Sequence, residues 1–460
     1  MVRAVILTFG DSAVYNILNN VNQEVTKSFL FRGENMRKQI SAFVAALVLT
    51  MTGCAGAKGN TDTPSVPLIT ETVMAVNPDV TEGLIYDETD NTWSTDDEEI
   101  QKFVDIMKKE CAKSKDEKGV RILAADDKII FIAGLNSLDI DGNKVSAYTT
   151  YDIASLSKMF TSTCIFQLCE QGKLSLDDTI DKFFPEFDRG KDITVYDLLH
   201  MQAGLNREFF PDDVMLNEDG SDNIEIARKY YTDGYTDEEL LNGLFSSELI
   251  CEPGTESNYS NAGYTLLAMI IEKITGIGYD EYVKNNIFNV CGMAHSSSMK
   301  TGDLTSVAEL PEEDEYIEFI ELMGSSGMDS PRTARGAGGI HSCAADMVAF
   351  DRALMGGKLI NKDSLAKMFD LQLDPDNPVA SMYDNKYDYG CGWELHPTRP
   401  TSIEAYWHGG DEIYYKSGNM YCKSEKYGNI YLIQLYSSRK EQTFDHMMHC
   451  DNSIIEALKK

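Results

Sequence analysis

Ser155 and Lys158 stand three residues apart at the start of an apolar stretch that runs to about Gln171. A helix over these residues puts both side chains on one face, with the hydroxyl in reach of the amine. Met159, Phe160, Cys164, Ile165 and Leu168 would bury that amine. Burial disfavours the ammonium form, so Lys158 is expected to act as a base near neutral pH and Ser155 as a nucleophile towards a carbonyl. The unpaired N–H groups of a helix start also favour the negative charge of an oxyanion. The spacing alone carries little, because Ser297, Ser364 and Ser437 each have a lysine three residues on as well. A plain N-cap serine beside a solvated lysine is the competing reading.

Two further constellations single out the copy at 155. Tyr259-Ser260-Asn261 follows the turn residues Pro253-Gly254 and leads into an apolar helix. A phenol beside a cation can shuttle a proton between nucleophile and leaving group. The Asn261 amide can hold Lys158 and donate to a substrate carbonyl. Tyr-x-Asn recurs at Tyr383 and Tyr427, without that setting. His408-Gly409-Gly410 follows an extended Glu404 to Trp407, and glycines on a strand let a substrate backbone approach closely. The backbone N–H of Asp411 would then join that of Ser155 as an oxyanion hole, where one donor is typically worth ~3–4 kcal/mol. The competing reading of this segment is a simple β-turn.

The three motifs, in this order, resemble those of the serine β-lactamase and penicillin-recognising superfamily. The resemblance is to its class C-like branch of β-lactamase-related hydrolases, esterases and D-alanyl-D-alanine carboxypeptidases. It runs over about residues 115–437 and extends to Gly172-Lys173-Leu174-Ser175-Leu176-Asp177-Asp178, Ile193-Thr194-Val195 through Leu198-Leu199 to Gly204-Leu205, and Ala337-Gly338-Gly339-Ile340-His341-Ser342. It implies that Ser155 is the acylated nucleophile, Lys158 and Tyr259 the general-base pair, and His408-Gly409-Gly410 the strand along the substrate. Lys416-Ser417-Gly418 also fits the third motif. The family's fold places two more strands and a helix after that motif, which favours His408.

One departure bears on substrate. Most β-lactamases and DD-peptidases have a cationic third motif that grips the substrate carboxylate. Here a neutral histidine is followed by Asp411 and Glu412. Two acids there should repel an anion, which points to an ester- or amide-cleaving hydrolase; Lys416 or Arg439 are the residues able to supply a cation. A true class C-like β-lactamase or D-alanyl-D-alanine carboxypeptidase stays open, as does a penicillin-binding or sensor lipoprotein that acylates without turnover. The chemistry needs no metal and no organic cofactor, and the expected partner is a small-molecule or peptide substrate with a carbonyl.

The elements that must position these groups are legible as patterns. Val120–Leu123 and Lys128–Ile132 read as strands joined by Asp126-Asp127, after a helix from Ile100 to about Lys113. Residues 173–330 are mainly helical, with an apolar helix over Tyr264–Ile274 and another over Tyr279–Phe288. Helices continue after Gly338-Gly339 to about Leu371. Strands return at Ala405–His408, Tyr414–Tyr421 and Ile430–Tyr436, before a final helix over Glu441–Leu458. Strands at both ends with helices between predict an α+β fold: one antiparallel sheet formed by both chain ends and flanked by helices, with an inserted all-α lobe. The catalytic domain is placed at 97–460, as an α/β lobe of 97–171 and 335–460 around a helical lobe of 172–334.

The remaining signals concern address and partners. The chain has 460 residues and a net charge of −33, which disfavours nucleic acid and anionic lipid headgroups. Its ten cysteines form no Cys-x-x-Cys pair and its seven histidines show no zinc spacing. Met36-Arg37-Lys38 followed by the apolar run Ile40–Met51 reads as a secretory signal, short of the about 20 residues a membrane span needs. Thr52-Gly53-Cys54 resembles a bacterial lipoprotein box, so residues 36–53 are expected to be removed and Cys54 lipidated. Residues 1–35 read as an untranslated leader and 54–96 as a tether. The reading is an extracytoplasmic monomer, held to the membrane by a lipid anchor only.

Overall fold

The structure, a computed structural model, describes residues 79–460 apart from 115, 212–223, 233, 301–303, 305, 310–329, 371–379, 382–388, 397–402, 413, 439, 441 and 460. The leader, the signal segment, Cys54, Tyr383 and Arg439 therefore lie outside the described residues.

The described chain begins with two three-residue strands, β1 (Ile85–Asp87) and β2 (Thr92–Ser94), joined by a turn in which Asn91 takes φ 52°. The tether reading of 54–96 runs too far: β2 pairs with β4 and brings this hairpin into the main sheet. Strands of three residues are too short to show a period-two pattern, so composition alone suggested a linker here. Helix α1 (Gln101–Lys113) follows and buries Phe103, Val104 and Met107, the spacing of one helical face.

Strands β3 (Gly119–Ala125) and β4 (Ile129–Leu135) are buried along their whole length. Their near-continuous apolar sequences suit strands covered on both faces. Val120, Ile122 and Ala124 enter one core, and Leu123 and Ala125 the other. The chain then forms β5 (Thr150–Asp152), a 3₁₀ turn at Ala154–Leu156 and helix α2 (Ser157–Glu170), which stops before Gly172 at φ 66°.

The helical lobe carries α3 (Val195–Leu199), α4 (Ile224–Tyr231), α5 (Asp237–Ser246), α6 (Asn261–Thr275) and α7 (Tyr279–Val283). Thr194 with Asp197, and Thr236 with Glu239, form capping boxes that fix where α3 and α5 start. Ser260 caps α6, whose end is set by Gly276 at φ 73°. Strands β6 (Ser297–Ser298) and β7 (Ile340–Cys343) join β5 in a small sheet of order β5-β7-β6. Continuous helix was expected after Gly338-Gly339; instead four buried residues run extended before α8 (Ala344–Met355) and α9 (Lys362–Met368).

The C-terminal part supplies β8 (Glu394–Leu395), β9 (Glu404–Asp411), β10 (Tyr415–Ser424), β11 (Gly428–Ser437) and α10 (Gln442–Leu458). The main sheet is antiparallel, in the order β1-β2-β4-β3-β11-β10-β9-β8. Both chain ends thus build one sheet, as the α+β reading requires, through the register Gly119↔Tyr436 to Ala125↔Ile430. α1 and α10 close one face, while α2 and α8 belong to the larger core on the other. The nine described cysteines are free, six of them buried.

One core group carries a stability prediction. Asp351 of α8 is fully buried, and Asn419 of β10 donates to its Oδ1 at 3.0 Å. Burial pushes its carboxyl up to about 8. The folded state keeps a proton that the unfolded chain releases near the usual aspartate value of about 3.9. Stability therefore falls as pH rises from that value through about 8. Asp351→Asn should raise the melting temperature at pH 8 by on the order of 3 °C more than at pH 5. Equal gains at the two pH values would show that no such proton is held.

Candidate active site

The turn that carries Ser155 is strained. Ala154 takes φ 47°, a left-handed conformation that a residue with a Cβ rarely adopts. Its N–H donates to Asp152 Oδ1 at 2.7 Å, and Ser330 Oγ donates to Asp152 Oδ2 at 3.1 Å. From beneath, Ser417 Oγ donates to Ile153 O at 2.8 Å, and Gly410 fits so closely that a Cβ would overlap Ile153 O and stand 3.2 Å from Ala154 Cβ. Such strain persists only where its surroundings over-determine it. Ser155 was expected in the first turn of a regular helix; it lies in the 3₁₀ turn, and α2 proper starts at Ser157. Apolar periodicity carries no signal for that difference.

Lys158 is fully buried on α2 and has three acceptors. Its Nζ lies 3.1 Å from Ser155 Oγ, 2.8 Å from Asn261 Oδ1 and 2.6 Å from Ala337 O. An ammonium donates to all three. A neutral amine keeps two protons for the two carbonyl oxygens and turns its lone pair on the Ser155 hydroxyl. Burial favours the second state, holding the amine well below the usual lysine range against the opposing pull of Glu208. Tyr259 OH donates to Ser155 Oγ at 2.8 Å, and the Tyr259 ring lies 4.7 Å from Lys158 Nζ. The capped start of α6 sets both Tyr259 and Asn261, because Arg207 O accepts from the N–H groups of Asn261 and Ala262.

The third segment forms β9. Glu412 and Tyr415 exchange both backbone bonds across the β9–β10 turn, while Ala405 O accepts from His396 N on the opposite side. Backbone groups alternate along a strand, so Ala405, Trp407, Gly409 and Asp411 face the outer edge. β8 pairs with β9 at Tyr406 and Trp407. Beyond Trp407 the outer edge of Gly409 and Asp411 has no strand partner among the described residues. The His408 ring is fully engaged: Nδ1 donates to Gly409 O at 2.7 Å, and Nε2 lies 3.0 Å from Tyr389 OH. Burial lowers His408 to about 3. It is a neutral ring and offers no grip to a carboxylate.

Lys416 and Asp411 correct the charge reading of this segment. They are cross-strand partners, ion-paired to each other, with Lys416 Nζ 5.8 Å from the ring of Phe444. Gly410 and Ser417 meet the turn that carries Ser155, so by strand alternation Asp411 and Lys416 face the opposite side. The Asp411 carboxylate is neutralised there and cannot repel a substrate, and Lys416 cannot attract one. Strands β10 and β11 and helix α10 follow β9, and Lys416-Ser417-Gly418 lies in β10. Carboxylates do act on Lys158 from Glu208, Glu394 and Glu412, of which burial raises Glu394 to about 7.

Several contributors were not visible in the sequence. Glu208 receives Asn261 Nδ2–H at 2.6 Å and Tyr230 OH at 3.0 Å. The Arg207 guanidinium lies 5.3 Å from the Tyr259 ring. Ala337 O acts through its backbone, which leaves no trace in residue type. Glu208 follows the noted Gly204-Leu205 segment, but one acid among 74 acidic side chains is not singled out without coordinates. The other lysine-spaced serines lie elsewhere: Ser297 in β6, Ser364 in α9 and Ser437 at the end of β11.

Comparison with known proteins gives consistent matches. The model of the family described as Beta-lactamase matches residues 108–447. Penicillin-binding protein 4* of Bacillus subtilis is 30% identical over 261 residues, covering 53% of this chain and 52% of that protein. The chain spans about half the length of the curated relatives it matches. Among solved structures, the D-amino acid amidase from Ochrobactrum anthropi SV3 superposes with a TM-score of 0.59 at 20% identity, over 78% of this chain and 98% of that one. A penicillin binding protein from Bacillus halodurans does so with a TM-score of 0.55 at 21% identity, over 77% of this chain and 99% of that one. These structural likenesses concern the fold.

Proposed function

The chain belongs to the Beta-lactamase family, and from that premise we propose that it is a serine hydrolase that cleaves an ester or amide through an acyl-enzyme on Ser155. One observation carries the reading: a buried amine and a phenol converge on a half-buried hydroxyl, at 3.1 and 2.8 Å. Ser155 Oγ attacks the carbonyl carbon while its proton passes to Lys158 Nζ. The oxyanion takes the backbone N–H groups of Ser155 and Asp411. As the tetrahedral intermediate collapses, the leaving group receives that proton through Tyr259. Asn261 and the β9 backbone at His408, Gly409 and Gly410 align the substrate. Water then gives a proton to the same pair, attacks the acyl carbon and frees the serine.

The preferred substrate is neutral or cationic on its acyl side. The neutral His408 and the carboxylates acting on Lys158 support this. A second reading, a β-lactam or a peptide ending in D-alanine, is favoured by Arg207, whose partly exposed guanidinium lies at the Tyr259 ring and brings a cation to the site. Residues 36–54 add to the proposal an extracytoplasmic, lipid-anchored protein.

The test is a side-by-side assay of short-chain p-nitrophenyl esters, amino-acid amides, a chromogenic cephalosporin and D-Ala-D-Ala peptides. Esters should turn over fastest, and a fluorophosphonate probe should label the wild type but not Ser155→Ala. Faster cephalosporin turnover would transfer the case to the second reading. Labelling that survives in Ser155→Ala would end the acyl-enzyme proposal.

A further inference from the structure

We propose that Glu208 is a positioning residue of this site: its carboxylate fixes which way the Asn261 amide faces and stands as the negative charge behind Lys158. The inference rests on the Ser155–Lys158 chemistry proposed above and adds a member to it.

The two ends of an asparagine amide have nearly the same shape, so only the partners decide the orientation. A carboxylate accepts and does not donate. Glu208 Oε1 at 2.6 Å from Nδ2 therefore selects the N–H end and leaves Oδ1 for Lys158 Nζ at 2.8 Å. That choice has a chemical result. An Asn261 carbonyl accepts a hydrogen bond from the Lys158 amine and leaves the amine's lone pair to Ser155. A reversed amide would donate to that lone pair and compete with the serine for it.

Glu208 is itself held on both sides. Tyr230 OH donates to Oε2 at 3.0 Å, and Arg207 Nε lies 3.7 Å from Oε1. Burial raises its carboxyl, while Asn261, Tyr230, Arg207 and Lys158 draw it back down. The titratable and charged groups acting on Lys158 are Glu208, Arg207, Glu394, Glu412 and His408, with the phenols of Tyr259 and Tyr264 beside it. Glu208 comes first among the carboxylates in its effect on the amine, and it is linked to that amine through a single side chain.

Two readouts test the idea on the whole protein. The pH dependence of fluorophosphonate labelling should show an acid limb where Lys158 loses its proton. In Glu208→Gln this limb should move down by about one pH unit, since a nearby opposite charge supports the ammonium. The plateau rate should fall by about tenfold as the amide loses its fixed orientation. The second readout is the Lys158 titration itself, followed by NMR of ¹³C-labelled lysine and assigned by its loss in Lys158→Met. It should move with the limb.

Tyr230→Phe removes a donor that holds the Glu208 carboxyl down, so the carboxyl rises further and less negative charge stands behind Lys158; both readouts should shift the same way by less. It also serves if Glu208→Gln does not fold. A folded variant with a lowered plateau but an unmoved limb and an unmoved lysine titration would reduce Glu208 to a packing role and overturn the inference. If the wild type takes no label, the acyl-enzyme proposal fails, and the NMR titration still decides whether Glu208 sets the amine.

Discussion

Lys158→Met should slow acylation of Ser155 by about 10³-fold, within the usual range for loss of a positioned base, in a protein that remains folded. Methionine fills much of the buried lysine volume without a charge to desolvate. It leaves Asn261 Oδ1 and Ala337 O without their proton donor, at about 1–3 kcal/mol for each acceptor left unpaired, so the melting temperature should also fall. The sharper expectation concerns the double variant. Tyr259 and Lys158 both meet Ser155 Oγ, and in the proposed mechanism the proton that Lys158 takes is the one that Tyr259 passes on. Tyr259→Phe combined with Lys158→Met should therefore be little slower than Lys158→Met alone, because groups that act as a unit are not additive. Burst kinetics with a p-nitrophenyl ester read both effects. A Lys158→Met enzyme within tenfold of the wild type would remove the amine from the chemistry.

Gly410→Ala should be nearly as damaging, for a mechanical reason. A methyl group there would overlap Ser417 Oγ and Ile153 O and press on Ala154. Ile153 and Ala154 are the residues that hold the left-handed turn before Ser155. Relief requires β9 to move away from that turn, which separates the N–H groups of Ser155 and Asp411. Loss of one oxyanion donor corresponds to about 10²–10³-fold in rate. Gly409→Ala supplies the contrast. Its methyl would meet the Trp407 ring on the other face of the strand, so stability should fall while the turn keeps its shape. Equal losses of kcat in the two variants, measured at temperatures where both are folded, would deny Gly410 its special place.

The fold was legible where patterns are long. The runs at 120–123 and 128–132, the helix after Ser155 and the three C-terminal strands all have enough residues to show their period. β1, β2 and β7 have three or four residues and were read as tether or helix. In the site, the groups that converge on Ser155 were recoverable because their types and settings are unusual together. Glu208, the Ala337 carbonyl and the backbone of Ala154 were not, since their contribution lies in position and not in residue type. The Asp411 error has the same origin. Its neighbour in sequence is Glu412, but its partner in space is Lys416, and strand alternation turns it from the substrate side.

The junction of β3 with β11 has a consequence for synthesis. Arg121 and Tyr436, bonded across that junction, are 315 residues apart. As the chain leaves the ribosome, β3 and β4 emerge with one edge open, and the strand that covers it, β11, is made only after the whole stretch between them. Closing so long a loop precedes any reward from the pairing, which makes folding slow and exposes the waiting hairpin to aggregation. A nascent chain that stops before Gly428 would lack the middle of its sheet, not a margin, and would depend on chaperones or on being kept unfolded until β11 is made.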